Sequence, residues 1–94
     1  MEKKFSVGDL VISTAGRDKG IAFLIVNQEN EFVFLVNGKE RKTTNPKKKK
    51  IKHIDSVLVA GGKELAIKIQ KGEPVGNEKL HRLIKAQTQK IQED

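Results

Sequence analysis

The hexapeptide from Ile21 to Val26 is apolar without interruption, with Ala22 its only small member. A run of this length, bounded by polar turns, reads as a strand buried on both faces. After the turn signal Gln28-Glu29-Asn30-Glu31 comes a second run, Phe32-Val33-Phe34-Leu35-Val36, which closes on Asn37-Gly38, a pair suited to positive φ. The two long strands form a hairpin. Leu10-Val11-Ile12 supplies a short strand before them. Ile51, His53 and Ile54 lead into Ser56-Val57-Leu58-Val59, a further strand that Gly61-Gly62 ends. Several short strands with apolar runs on both faces predict a mainly β fold, a small closed barrel with no exposed sheet edge.

After Gly62 the apolar period changes from two to that of a helix. Leu65, Ala66 and Ile69 share a face between Lys63 and Lys71, and Gly72 followed by Glu73-Pro74 stops that helix. Asn77 is placed to cap a second helix on which Leu80, Leu83, Ile84 and Ile91 form one stripe, with Lys79, Arg82, Lys85 and Lys90 on the other faces. The predicted organisation is a barrel over residues 1–60, carrying a basic insertion at 39–53, and two short C-terminal helices in an extension, 61–94, packed on the barrel. Residues 89–94 are polar and expected to fray.

Charge locates the partner. The chain has 94 residues and a net charge of +7, a size that supports one small domain. Eight of the 19 cations are Lys39, Arg41, Lys42, Lys47, Lys48, Lys49, Lys50 and Lys52, and the one anion among them is Glu40. This window carries the whole excess and the remainder is neutral, a distribution that points to a polyanionic partner rather than to general solubility. Without cysteine, disulfides and thiolate metal sites are excluded and a reducing, cytoplasmic setting is expected. The N-terminus shows no signal sequence, and no segment approaches the roughly 20 apolar residues of a membrane span. The lysine run lacks the second anchor that membrane binding requires.

Catalytic patterns are weak. His53 and His81 lie in different elements without a metal-binding context, and His53-Ile54-Asp55-Ser56 has no nucleophile elbow beside it. The loop Thr14-Ala15-Gly16-Arg17-Asp18-Lys19-Gly20 is followed by a strand, whereas phosphate-cradling glycine loops open a helix. No enzyme activity, cofactor or metal is expected. Gly16 and Gly20 serve a turn and Asp18 can bond nearby backbone amides. Arg17 and Lys19, which a turn does not require, suit phosphate contacts.

The segment GDLVISTAGRDKGIAFLIV resembles a KOW motif, the glycine-containing segment of certain ribosomal proteins and of transcription factors of the NusG/Spt type. The later NGKERKTTNPKKKKIKH is similar to the basic stretch of large-subunit ribosomal proteins of the eL-fourteen type and of the bacterial KOW proteins related to them. Together the two cover residues 6–55. Many KOW proteins carry a further glycine soon after the one matching Gly20, where this chain has Ile21-Ala22-Phe23, a departure that resembles the eL-fourteen branch. The resemblance implies an SH3-like barrel that binds RNA, with Gly16, Arg17, Asp18, Lys19, Gly20, Asn45, Pro46, Lys47 to Lys50 and His53 at the matching positions.

Charge and resemblance together give Thr14, Gly16, Arg17, Asp18, Lys19, Lys39, Arg41, Lys42, Asn45, Lys47, Lys48, Lys49, Lys50, Lys52 and His53 as candidate RNA-binding residues. The expected function is non-enzymatic binding of structured ribosomal RNA through phosphates, by a ribosome-associated protein that is a monomer when free and has ribosomal proteins as further neighbours. Phe23, Phe32 and Phe34 lie in core-like runs and Phe5 alone reads as exposed, so base stacking is expected to be secondary. The competing expectation is a protein-interaction module docking on the ribosome or the transcription machinery through the Leu80, Leu83 and Ile84 stripe or the barrel edge.

Overall fold

The computed structural model describes residues 4–58 and 62–92, with side chains placed for all of these except 56–58 and 89–92. Val59 and Gly61 lie outside the described residues, as do the side chains of Lys90 and Ile91. The architecture is built around strand β2 (Ala22–Glu29), paired antiparallel with β3 (Phe32–Val36) through the turn at Asn30, whose φ is 55°. β1 (Leu10–Ser13) lies on the other side of β2, followed by β5 (Ile54–Leu58), and β4 (Lys47–Lys50) flanks β3, giving one antiparallel sheet in the order β4-β3-β2-β1-β5.

The strand expected to be buried on both faces is so. Phe23 and Ile25 point into one cluster with Val11, Val33, Leu35 and Ile54, while Leu24 and Val26 point into a second with Leu10 and Val36. This second face is covered by helices α1 (Lys63–Gln70), through Ala66, and α2 (Asn77–Gln92), through Leu80 and Ile84. Leu80 and Ile84 of the helical stripe are thus committed to core. The β2–β3 ladder slips by one residue between Ile25 and Asn27, a bulge of the kind that bends a strand and increases its twist. Where a closed barrel was expected, the described residues show a five-stranded sheet without a ladder between its edge strands. A 3-10 turn, Ile51–His53, spans from one edge to the other. Its Ile51 N–H donates to the Glu31 carbonyl (2.8 Å), and its His53 carbonyl accepts from the Thr14 N–H (2.9 Å).

Three sequence expectations need correction. The lysine run, read as an insertion between strands, is itself strand β4, because its backbone pairs in register with Phe32 to Leu35. Asn77, read as a cap, instead accepts at Oδ1 from the Thr43 N–H (2.8 Å) and so ties the β3–β4 loop to the start of α2. Gly38 permits this approach. Its φ is +80°, and a Cβ there would stand 2.0 Å from the Asn77 carbonyl oxygen. The second helix is also longer than expected, its backbone continuing to Gln92.

With Leu80 fully buried in the cluster beneath α2, Leu80→Ala is expected to cost about 2–5 kcal/mol. Thermal unfolding should show a midpoint lower by about 10 °C or more, on the scale of ~4–8 °C per kcal/mol for domains of this size. A midpoint moved by only a degree or two would mean that α2 is peripheral to the fold.

Candidate functional site

The loop between β1 and β2 is a tight backbone structure. The Lys19 N–H donates to the Gly16 carbonyl, the Gly20 N–H to that of Ser13, and the Ile21 N–H to that of Asp18. Gly16 and Gly20 take φ of +83° and +89°, as a reversal this close requires. The turn drives Asp18 inward, where it is 7% exposed, and leaves Arg17 and Lys19 on either side of it in solvent.

Asp18 is met by β4. Lys49 Nζ donates to Oδ1 at 2.6 Å and to the Ala15 carbonyl at 2.8 Å, and the Ser13 hydroxyl lies 2.6 Å from the same Oδ1. Lys47 Nζ forms an ion pair with Oδ2 at 2.7 Å. Burial by itself would raise the pKa of Asp18, but the hydrogen bonds and charges of Lys47, Lys49 and Ser13 outweigh it and hold the carboxyl well below the usual carboxylate range. Where local backbone amides were expected as its partners, Asp18 instead meets the side chains of Ser13, Lys47 and Lys49. It binds the 14–20 loop to an edge strand 31 residues away in sequence.

Alternation along β4 divides the four lysines. Lys47 and Lys49 face across to Leu35 and Val33, on the side of the first cluster, and Lys49 is 9% exposed. Lys48 and Lys50 stand opposite Phe34 and Phe32 on the other side and are exposed. Lys48 Nζ sits 4.5 Å from the centroid of the Phe32 ring. Of the run, then, two charges neutralise Asp18 and two face solvent.

The remaining candidates fall around this pair of elements. Thr14 is joined through its N–H to His53, which is half-buried, and Lys52 beside it is exposed. Lys39, Arg41 and Lys42 belong to a loop organised by buried Asn37, whose Oδ1 accepts from the N–H groups of Lys39 and Arg41 and whose Nδ2 donates to Glu40. Lys42 Nζ donates back to the Gly38 carbonyl (3.3 Å), and the exposed Asn45 donates its N–H to Lys42. Gly20 and Lys39 line a common cleft of about 350 Å³ with His81 and Lys85 of α2. The expected basic insertion is accordingly ordered and spread over two places. Lys39 lies by the middle of α2 and by Gly20 of the β1–β2 loop, while Lys48 and Lys50 lie on the outer face of the sheet.

Sequence reasoning missed Ser13, Asn37 and Phe32. The inward turn of Ser13 and Asn37 has no local signal, but a period of two within a lysine run bordered by strands was available to separate Lys47 and Lys49 from Lys48 and Lys50. Phe5, expected to be exposed, packs against the first cluster, and Phe32 belongs to neither cluster. No protein-family model and no curated protein matches the chain.

Replacing Asp18 tests the bridge. Asp18→Asn leaves Lys49 buried without its counter-charge and is expected to lower stability at neutral pH by about 3 kcal/mol. Because the folded-state pKa is depressed, the carboxylate contributes fully above the unfolded value of about 3.9, and the contribution declines as pH falls below it. Denaturant unfolding of both proteins at neutral pH and at about pH 3 should therefore show the difference shrinking in acid. A difference that stays the same at both pH values would contradict the charge bridge.

Proposed function

We propose that the chain is a non-enzymatic RNA-binding protein of the KOW type, built on an SH3-like barrel, and that it acts in the cytoplasm as a ribosome-associated or ribosomal-protein-like factor in contact with structured ribosomal RNA. The observation that carries this reading is the Asp18 bridge. It holds the Arg17 and Lys19 loop against β4, so two cationic segments far apart in sequence become parts of one body. Five short strands, a bulge that bends the central hairpin and apolar clusters on both sheet faces support the barrel reading. The burial of Leu80 and Ile84 removes two residues of the stripe from any docking surface, which favours the RNA-binding reading.

Exposed cations near the bridge include Arg17 and Lys19 on the loop, Lys48 and Lys50 on β4, and Lys52 on the 3-10 turn. Lysine acts on a phosphate as a point charge, and Arg17 can fork across two phosphate oxygens. Each such contact releases condensed counterions. If about five phosphates are met, log affinity should fall with log salt at a slope of about −3.5 to −4.5.

Division of the lysine run makes the reading testable within one family of variants. Replacing Lys48 and Lys50 together by Ala should leave the melting temperature in place, weaken binding to a ribosomal RNA fragment, and reduce the magnitude of the salt slope by about 1.4–1.8. Reversing Arg17 and Lys19 to Glu should weaken binding further with the fold intact. Lys49→Ala should act mainly on stability. Equilibrium titrations at several salt concentrations, with duplex DNA as competitor, measure all three. A slope near zero in the unmodified chain, or binding indifferent to Lys48 and Lys50, would refute RNA binding by this surface.

A further inference from the structure

The outer face of the β3–β4 pair carries a feature that phosphate binding does not use. Phe32 and Phe34 are two apart on β3 and so share that face. Lys50 stands directly across from Phe32 and Lys48 directly across from Phe34. The helices share a cluster with Val36 at one end of this face, Phe34 is half-buried against that cluster, and Phe32, also half-buried, belongs to neither cluster. Phe34 also walls a groove of about 810 Å³ that runs between the sheet and the α1–α2 connection, with Val26, Pro46, Ile69 and Val75 among its lining. An aromatic pair, each ring in register with an exposed lysine, is thus left open at one side of the molecule.

Building on the RNA-binding reading, we propose that this face is a stacking platform for unpaired nucleotides, with bases resting on Phe32 and Phe34 and the adjoining phosphates taken by Lys50 and Lys48. The Lys48 ammonium 4.5 Å from the Phe32 centroid marks the ring face as accessible to a cation. A base can replace the ammonium there while the lysine swings to the phosphate. Spacing favours single strands. Two rings at alternate strand positions are separated by about 6.6–6.8 Å along β3, roughly twice the 3.4 Å step between stacked bases. Consecutive bases on the two rings must be unstacked from each other, which a continuous duplex does not permit. Charge complementarity selects a nucleic acid over an apolar peptide, because both rings are flanked by cations. The chemistry expected from the sequence, shape and charge without base stacking, is extended by a preference for unpaired segments such as loops and bulges.

The test uses the full chain with a labelled short oligouridylate and an RNA duplex of equal length. Phe32→Leu should weaken binding to the single strand about ten-fold or more and change duplex binding by less than about two-fold, whereas Phe32→Tyr, which keeps the ring, should bind like the unmodified protein. A fluorescent purine analogue placed within the oligonucleotide should be quenched on binding to the unmodified chain, a readout that does not depend on how any variant folds. Single-strand binding that keeps its salt dependence but ignores Phe32→Leu and leaves the purine analogue unquenched would overturn the platform while leaving phosphate binding standing. Loss of salt-dependent binding in the unmodified chain would overturn both.

Discussion

A single carboxylate decides how the two ends of this sheet are related. β4 is an edge strand with two lysines on the inner side, and the loop that faces it has no apolar residue large enough to hold it by packing. Asp18 supplies the missing attraction, accepting from Lys49 and Ser13 and standing against Lys47. In a partly dry site such a group is costly to bury and costly to leave alone, so its worth lies in the arrangement it enforces more than in net stability. The loop, the edge strand and the buried lysine then define one another's positions. Every exposed cation on the proposed surface is placed relative to that bridge.

The second constraint is the central strand. Because β2 is apolar on both sides, the sheet must be covered twice, and the chain does this with unequal means. On one side the bend of the sheet gathers Val11, Phe23, Ile25, Val33, Leu35 and Ile54. On the other side two helices bring Ala66, Leu80 and Ile84. The helices reach only part of the outer face, and the outer β3–β4 ladder is left with rings and cations instead of a hydrophobic cover.

Much of this was visible in the residues. The hairpin, its Asn30 turn, both helices and the double burial of β2 follow from unbroken apolar runs, turn residues and a change of period, all of which are local signals. The site was less visible because its determinants are not local. Asp18 looks like a turn residue until Lys49 arrives from across the molecule, and Asn77 looks like a helix cap until Thr43 takes its side chain. Phe32 shares the composition of a core strand, and only its place outside both clusters separates it from Phe23. The lysine run was legible as charge but not as a strand, since lysine has little strand preference of its own and pairing with β3 imposes the conformation.

The ties that hold the β3–β4 loop and the β1–β2 loop span 34 and 31 residues respectively. Each loop also has local bonds of its own, but those do not attach it to the rest of the molecule. As the chain leaves the ribosome, the basic loop can be tied down only after Asn77 has been made, and the first glycine turn only after Lys49. Local hairpins form early, but the surface assembles late, in a molecule whose decisive contacts are distant in sequence and therefore slow to find. A nascent chain of this protein would carry its positive charges for some time before it could present them in order.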